Sequence, residues 1–269
     1  MLSQKIKPKA MKSPRLPILI NLPEHIEEAK IYLASDIHNG SAEFDEKRWR
    51  KFEELLKPED SFVLFAGDQC EYATKQSKSD IYSQVLSPRQ QKDWWIEHLR
   101  PYVKDGKCLC FIDGNHEYNR ASKESDDFPI YDIALALGVE DRYRSEGAFV
   151  DIGVGDGGHG KGKQVRYVFR VQHKARNTGK FGTADAFDGI DLFVSGHTHT
   201  PMDKPLAKLV YDSKNKSVSE KDVENIVCGH FLRFGGYGER DGHRPASTKL
   251  YMAILSGKKK DIKTLGFHL

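Results

Sequence analysis

The sequence predicts an α/β fold carrying two β-sheets in a single domain, on three observations. Short apolar runs of strand length alternate with helix-period segments through the first half of the chain. The second half is β-rich with few helices, which asks for a second sheet. No internal repeat and no long linker separates the halves, so residues 23–269 read as one domain behind a basic arm, residues 1–22.

The elements follow in order. Residues 31–35 (IYLAS) are a buried strand ending at Asp36. Residues 45–56 place Trp49, Phe52, Leu55 and Leu56 at helical spacing. Residues 62–66 form a second buried strand, ending at Gly67 and Asp68. Residues 81–102 read as helical with a break at Pro88. Trp94, Trp95 and His98 form the core-facing stripe of that segment rather than a binding platform. Residues 108–112 are a third strand, ending at "DGNHE", and residues 130–137 a further helix. Strand, helix, strand, helix, strand implies a substantial parallel portion. Residues 148–154, 165–172, 191–195, 208–211, 224–228 and 248–255 read as strands.

Composition excludes several classes. The 269 residues are 38% hydrophobic and 30% charged, in the range of a globular chain. No apolar stretch approaches the roughly 18 residues of a membrane helix. A net charge of +3 is too small to argue for nucleic acid by itself. The arm holds Lys5, Lys7, Lys9, Lys12 and Arg15 and lacks the apolar centre of a secretory signal, so it reads as a solvated tail. Cys70, Cys108, Cys110 and Cys228 lack the spacing of a zinc cage or a disulfide frame. They are read as buried thiols in a reducing compartment, which makes the expected location cytoplasmic.

The link "GVGDGGHGKG", residues 153–162, imitates a nucleotide loop. Such a loop needs a strand before and a helix after, to aim the helix N-terminus at phosphate. Here the following "QVRYVFRVQ" alternates like a strand, so the link is read as a flexible hairpin connection.

Four strand ends carry metal-competent side chains: Asp36 and His38, Asp68, Asn115 with His116 and Glu117, and His197 with His199. Ligands bind outside the carboxyl ends of strands in open α/β sheets. On an extended chain, residues two apart point the same way, so Asp36 with His38, and His197 with His199, can each converge. Each motif alone is weak. Together they offer carboxylate, imidazole and amide oxygen without thiolate, a set for two hard or borderline divalent ions.

The series "DIH", "GD", "GNHE", "H" and "GHTH" resembles the calcineurin-like metallophosphoesterases, over residues 36–199. The resemblance implies an α/β fold with two mixed β-sheets packed as a sandwich flanked by helices, in four layers α/β/β/α. It implies that Asp36, His38 and His199 bind one ion, that Asn115 and His197 bind the second, and that Asp68 bridges them. It also implies one more histidine between the third and last motifs. His173, at a strand end, is preferred over His159, which lies in the glycine-rich link. Manganese leads among the metals, with iron, zinc, nickel or magnesium also compatible.

Two such ions about 3.5–4 Å apart can clamp the attacking and leaving oxygens at phosphorus and activate a water held between them. By resemblance His116 contacts the phosphate and protonates the leaving oxygen, general-acid work worth roughly 10²–10⁴-fold. Glu117 is either an orienting partner for a histidine or only a helix start.

The substrate is read by comparison within the family. Asp68 is followed by "QCEYATK", without the arginine and acidic neighbour that the serine/threonine phosphatases carry. "GNHE" rather than "GNHD", with no evident capping domain, weakens the reading as a double-strand-break nuclease. The stretch "CGHFLRFGGYGERDGHRP", residues 228–245, mixes arginines, aromatics and glycines. Arg233, Tyr237, Arg240 and Arg244 are its candidate substrate contacts, suited to phosphate and to stacked bases. His230 and His243 are read as ordinary loop histidines. The expected activity is hydrolysis of a phosphodiester, either a nucleotide or a nucleic acid. A phosphomonoesterase, a catalytically silent metal-binding scaffold and a nucleic-acid-binding protein without chemistry are the alternatives.

Overall fold

The computed structural model describes residues 16–77, 81–158, 163–174 and 186–269. The lysines and Arg15 of the arm, His159 and the side chain of Tyr237 lie outside the described residues. In chain order the first strands are β1 (Ile18–Asn21), β2 (Glu28–Ala34), β3 (Ser61–Phe65), β4 (Cys108–Ile112) and β5 (Tyr143–Arg144). Next come β6 (Ala148–Val154), β7 (Val165–Val171), β8 (Leu192–Ser195) and β9 (Met202–Asp203). The last are β10 (Leu206–Asp212), β11 (Ser217–Val227), β12 (Leu250–Ser256) and β13 (Ile262–Phe267). The helices are α1 (Glu46–Leu55), α2 (Pro88–Lys104), a π-helix (His116–Ser122) that continues as α3 (Lys123–Ser125), α4 (Pro129–Ala136) and α5 (Gly236–Arg240).

The strands form two mixed sheets, as the sequence predicts. One has the order β13-β12-β2-β3-β4-β5, with β2 to β5 parallel and β12 and β13 antiparallel at one side. The other has the order β1-β6-β7-β8-β11-β10, with β9 also on β11. In it β7, β8 and the end of β11 run parallel. Alternation sorts the side chains of β2 into two cores. Ile31 and Leu33 meet Val150, Phe169 and Leu192 between the sheets. Tyr32 and Ala34 face the helices, with Trp49, Phe52, Trp95 and Leu99. On the outer face of the other sheet Phe149, Val168, Phe187 and Phe193 form a smaller cluster.

The helices start where the chain supplies caps. The Asp45 side chain accepts from Arg48 N to open α1. Ser87 and Gln90 form a capping box with Pro88 in the first turn, which is the break expected at Pro88. The β6–β7 pair is an antiparallel hairpin, so the glycine-rich link connects strands and precedes no phosphate-binding helix. All four cysteines are buried free thiols. Strand β1 lies inside the stretch read as an arm. Its Ile18 and Ile20 point into the inter-sheet core while Leu19 is exposed, and it pairs parallel with β6. No described helix is long and apolar enough to cross a membrane.

The inter-sheet core is close-packed around Phe169, fully buried. Phe169→Ala should destabilise the protein by about 3–5 kcal/mol. Chemical unfolding measures this, and an unchanged midpoint would contradict the packing described.

Candidate metal centre

Because β2, β3 and β4 are parallel, their carboxyl ends lie on one edge of their sheet, and β7 and β8 bring theirs to the same end of the sandwich. Asp36 and His38 follow β2, Asp68 follows β3, and Asn115 and His116 follow β4. His173 follows β7, and His197 and His199 follow β8. These residues converge. Potential ligand atoms of Asp36, His38 and His199 lie within 4.8 Å of one another, as do those of Asp68, His173 and His197, and those of His38, Asp68 and His116.

The local backbone differs from the extended geometry expected. Asp36, His38, Asp68, His197 and His199 all have positive φ, between 52° and 73°. Each is a turn in the left-handed region, at a cost of order 1–3 kcal/mol. At the end of β2 the turns bring Asp36 and His38 to one group of ligand atoms, while at the end of β8 they send His197 and His199 to different groups, which alternation along a strand cannot do. Close approach fixes two neighbouring glycines. A Cβ on Gly114 would lie 2.0 Å from Asp68 Oδ1, and one on Gly196 would lie 2.6 Å from Asp36 Oδ2.

Asp68 sits at the middle. Its Oδ2 is 3.2 Å from His173 Nε2 and 3.8 Å from both His38 Nε2 and His116 Nε2. Its Oδ1 accepts from His116 N at 2.9 Å. On one side His199 Nε2 is 3.2 Å from Asp36 Oδ1 and 3.3 Å from His38 Nε2. On the other, Asn115 Oδ1 is 3.1 Å from His173 Nε2. His197 contributes its backbone N–H to Asp36 Oδ2 at 2.9 Å.

Second nitrogens orient the rings. His173 Nδ1 is placed to donate to Ala66 O at 2.8 Å, which leaves Nε2 for a ligand. His38 Nδ1 lies 3.2 Å from Glu71 Oε2, and His116 Nδ1 lies 2.9 Å from Glu71 O. Glu71, inside the "QCEYATK" that follows Asp68, is a partner that the sequence does not single out. It stands three residues after Asp68, held by Arg120 Nη1 at 2.9 Å, and it serves two histidines at once. Among the described residues the hydrogen bonds of Glu117 go to backbone N–H groups and to no histidine. Its Oε2 accepts from Asp68 N at 3.1 Å and Gly114 N at 2.8 Å, and its Oε1 accepts from Cys70 N at 2.8 Å. It clasps the loops that carry Asp68 and Asn115.

The electrostatics fit cations. Burial would raise the Asp36 and Asp68 carboxyls, yet the imidazoles around them hold both below the usual range. Burial would lower His173, but the charge and hydrogen bond of Asp68, with the Asp36 charge and Ala66 O, together outweigh it and take the imidazole up to about 10. Burial pushes His116 down to about 4. Buried carboxylates that pull protons onto neighbouring imidazoles form a cluster short of positive charge, and divalent ions would supply it.

Residues 29–201 match the family model for calcineurin-like phosphoesterases, which is most of the chain. The chain belongs to the calcineurin-like phosphoesterase family. It is therefore a hydrolase acting on phosphoester bonds, with candidate ligand groups for divalent metal. Solved structures similar to it include the phosphoesterase YfcE from E. coli, at 15% identity, 88% coverage of this chain, 98% of that one and TM-score 0.40. A metallophosphoesterase from Sphaerobacter thermophilus is 14% identical, with 89% and 88% covered and TM-score 0.42. The calcineurin-like phosphoesterase YfkN from Bacillus subtilis is 14% identical, with 89% and 90% covered and TM-score 0.40. No curated protein matches the chain.

The residues expected to touch substrate are less gathered. Arg233 Nη2 donates to Ala42 O at 2.9 Å, on the loop that follows His38. Arg240 and Arg244 are exposed, and α5 occupies part of the stretch expected as an irregular loop.

Glu117→Gln turns an amide N–H₂ toward backbone donors. It should cost about 1–3 kcal/mol, read as a lower unfolding midpoint in metal-stripped protein; an unchanged midpoint would remove the clasp.

Proposed function

We propose that this member of the family is a dinuclear phosphoesterase whose preferred substrate is a phosphodiester, a nucleotide or nucleic acid. The observation that carries the dinuclear reading is the position of Asp68 Oδ2, between the His38 side and the His173 side of the cluster. Asp36, His38 and His199 would hold one ion, and Asn115, His173 and His197 the other, with Asp68 shared. Manganese is the favoured pair. Two bound divalent ions supply Lewis acidity toward the phosphoryl oxygens and lower the pKa of water for in-line attack.

The chain's own groups do the rest. Asp68 fixes the spacing of the two subsites through its two oxygens, one of them anchored by His116 N. Glu71 fixes the rings of His38 and His116. His116 Nε2 faces the shared carboxylate at 3.8 Å, where it can reach a phosphoryl or leaving oxygen. Burial holds its pKa down at about 4. The negative charge of a phosphoester beside it would raise it toward proton donation. Support for a diester comes from Arg233, tied to the loop after His38, and from exposed Arg240 and Arg244 on the same C-terminal stretch, which suit a second phosphate substituent.

Metal-free protein refilled with Mn²⁺ should turn over a chromogenic phosphodiester faster than the matching phosphomonoester. The reverse preference would make it a phosphatase. No turnover of either would favour the metal-binding scaffold. His116→Ala should retain bound metal and lose roughly 10²–10⁴-fold in kcat. Unchanged turnover would end its role as acid.

A further inference from the structure

His230, expected to be an ordinary loop histidine, is 6% exposed and lies over His199. The two ring centroids are 5.2 Å apart and the planes are 25° from parallel. The segment carrying it is tied to the metal centre: Cys228 N donates to Ser195 O at 2.7 Å, and Phe231 N donates to Asp36 O at 3.0 Å. Leu232 N donates to His230 Nδ1 at 3.2 Å, which sets the plane of the ring and leaves the proton on Nε2. That Nε2 is buried and has no hydrogen-bond partner among the described residues.

An unpaired buried donor costs about 1–3 kcal/mol, so packing alone favours phenylalanine or leucine here. Neither offers an acceptor to Leu232 N. His199 has a matching need. His38, His116 and His173 are each oriented through Nδ1, by Glu71 or by Ala66 O. Among the described residues His199 makes its polar contacts through Nε2, to Asp36 and His38. It is also more open than His38 or His173, its side chain being 27% exposed against 4% for each.

We infer that His230 is a positioning residue for the subsite of Asp36, His38 and His199: its ring, locked by Leu232, holds the His199 ring at the angle that aims Nε2 into the subsite. This rests on the reading that those three residues hold an ion. A stacked ring here does what an Nδ1 hydrogen bond does for the other histidines.

The test is Mn²⁺ titration of metal-stripped protein by calorimetry and by electron paramagnetic resonance. His230→Ala should weaken one of the two ions by about 10-fold or more, the usual loss when an orienting partner is removed. The other ion should keep its affinity. His230→Phe keeps a ring over His199 and should keep most of the affinity. If the alanine variant does not fold, His230→Asn, which offers an acceptor near Nδ1 but no ring, carries the same expectation. Wild-type affinity for both ions in the ring-less variant, equal weakening of both, or a phenylalanine variant as weak as the ring-less one, overturns the inference. Wild-type protein that binds no Mn²⁺ overturns it together with the dinuclear reading. Two bound ions without phosphoester turnover would fail the activity alone, and the variant titrations would still decide the role of His230.

Discussion

The structure depends on one electrostatic constraint: Asp36, Asp68, Glu71 and Glu117 are buried close together. Charged carboxylates cannot lie out of water unless each is paired and hydrogen-bonded. The fold meets this in two ways. Imidazoles and Arg120 supply positive charge to Asp36, Asp68 and Glu71. Backbone N–H groups satisfy Glu117, Asp68 and Asp36, through residues 68, 70 and 114, residue 116, and residue 197 respectively. Each of those donors sits just past a strand end, so the sheets must deliver several ends to one place.

Parallel pairing is what delivers them. Antiparallel neighbours would alternate amino and carboxyl ends along an edge, whereas β2, β3 and β4 present carboxyl ends side by side. The strands then stop in left-handed turns at Asp36, Asp68 and His197. Aspartate and histidine tolerate that region less well than glycine, and a core with no other task would not hold five such turns in contact. Glu117 belongs to the same bargain: one carboxylate caps amides of two loops, so the Asp68 and Asn115 turns are held as a unit.

The sequence showed what lies contiguous with a strand. "DIH", "GD", "GNH" and "GHTH" each follow an apolar run directly, so both the strand and its candidate ligands are legible, and His173, sought because the resemblance asks for one more histidine, also ends a strand. What it hid was partnership across the chain. Glu71 reads as one more acid in a polar stretch, and only the fold brings it to His38 and His116. His230 sits in a glycine-rich stretch without periodicity, and its burial comes from Phe231 and Cys228 being tied to the ends of β2 and β8. Among strands, β5 and β9 are two residues long and too short to show a period. β1 alternates clearly in Ile18, Leu19 and Ile20, but the basic run before it masked the pattern. β13, residues 262–267, alternates exposed and half-buried side chains and buries too little to stand out.

The cluster is unevenly enclosed. Asp36, His38, Asp68 and His173 are almost fully covered, while His199, His197 and Asn115 are partly open. Among the described residues its open side is formed by the β8 turn and the β4 turn. The loop after His38 is tied to two other stretches: Val85 N donates to Gly40 O, and Arg233 N donates to Glu43 O. Val85 and Phe234 are exposed there. His230 is the exception, since it belongs to the C-terminal stretch but packs on His199. Residue 230 thus meets His199, whereas residues 233 and 234, a few positions later, meet solvent.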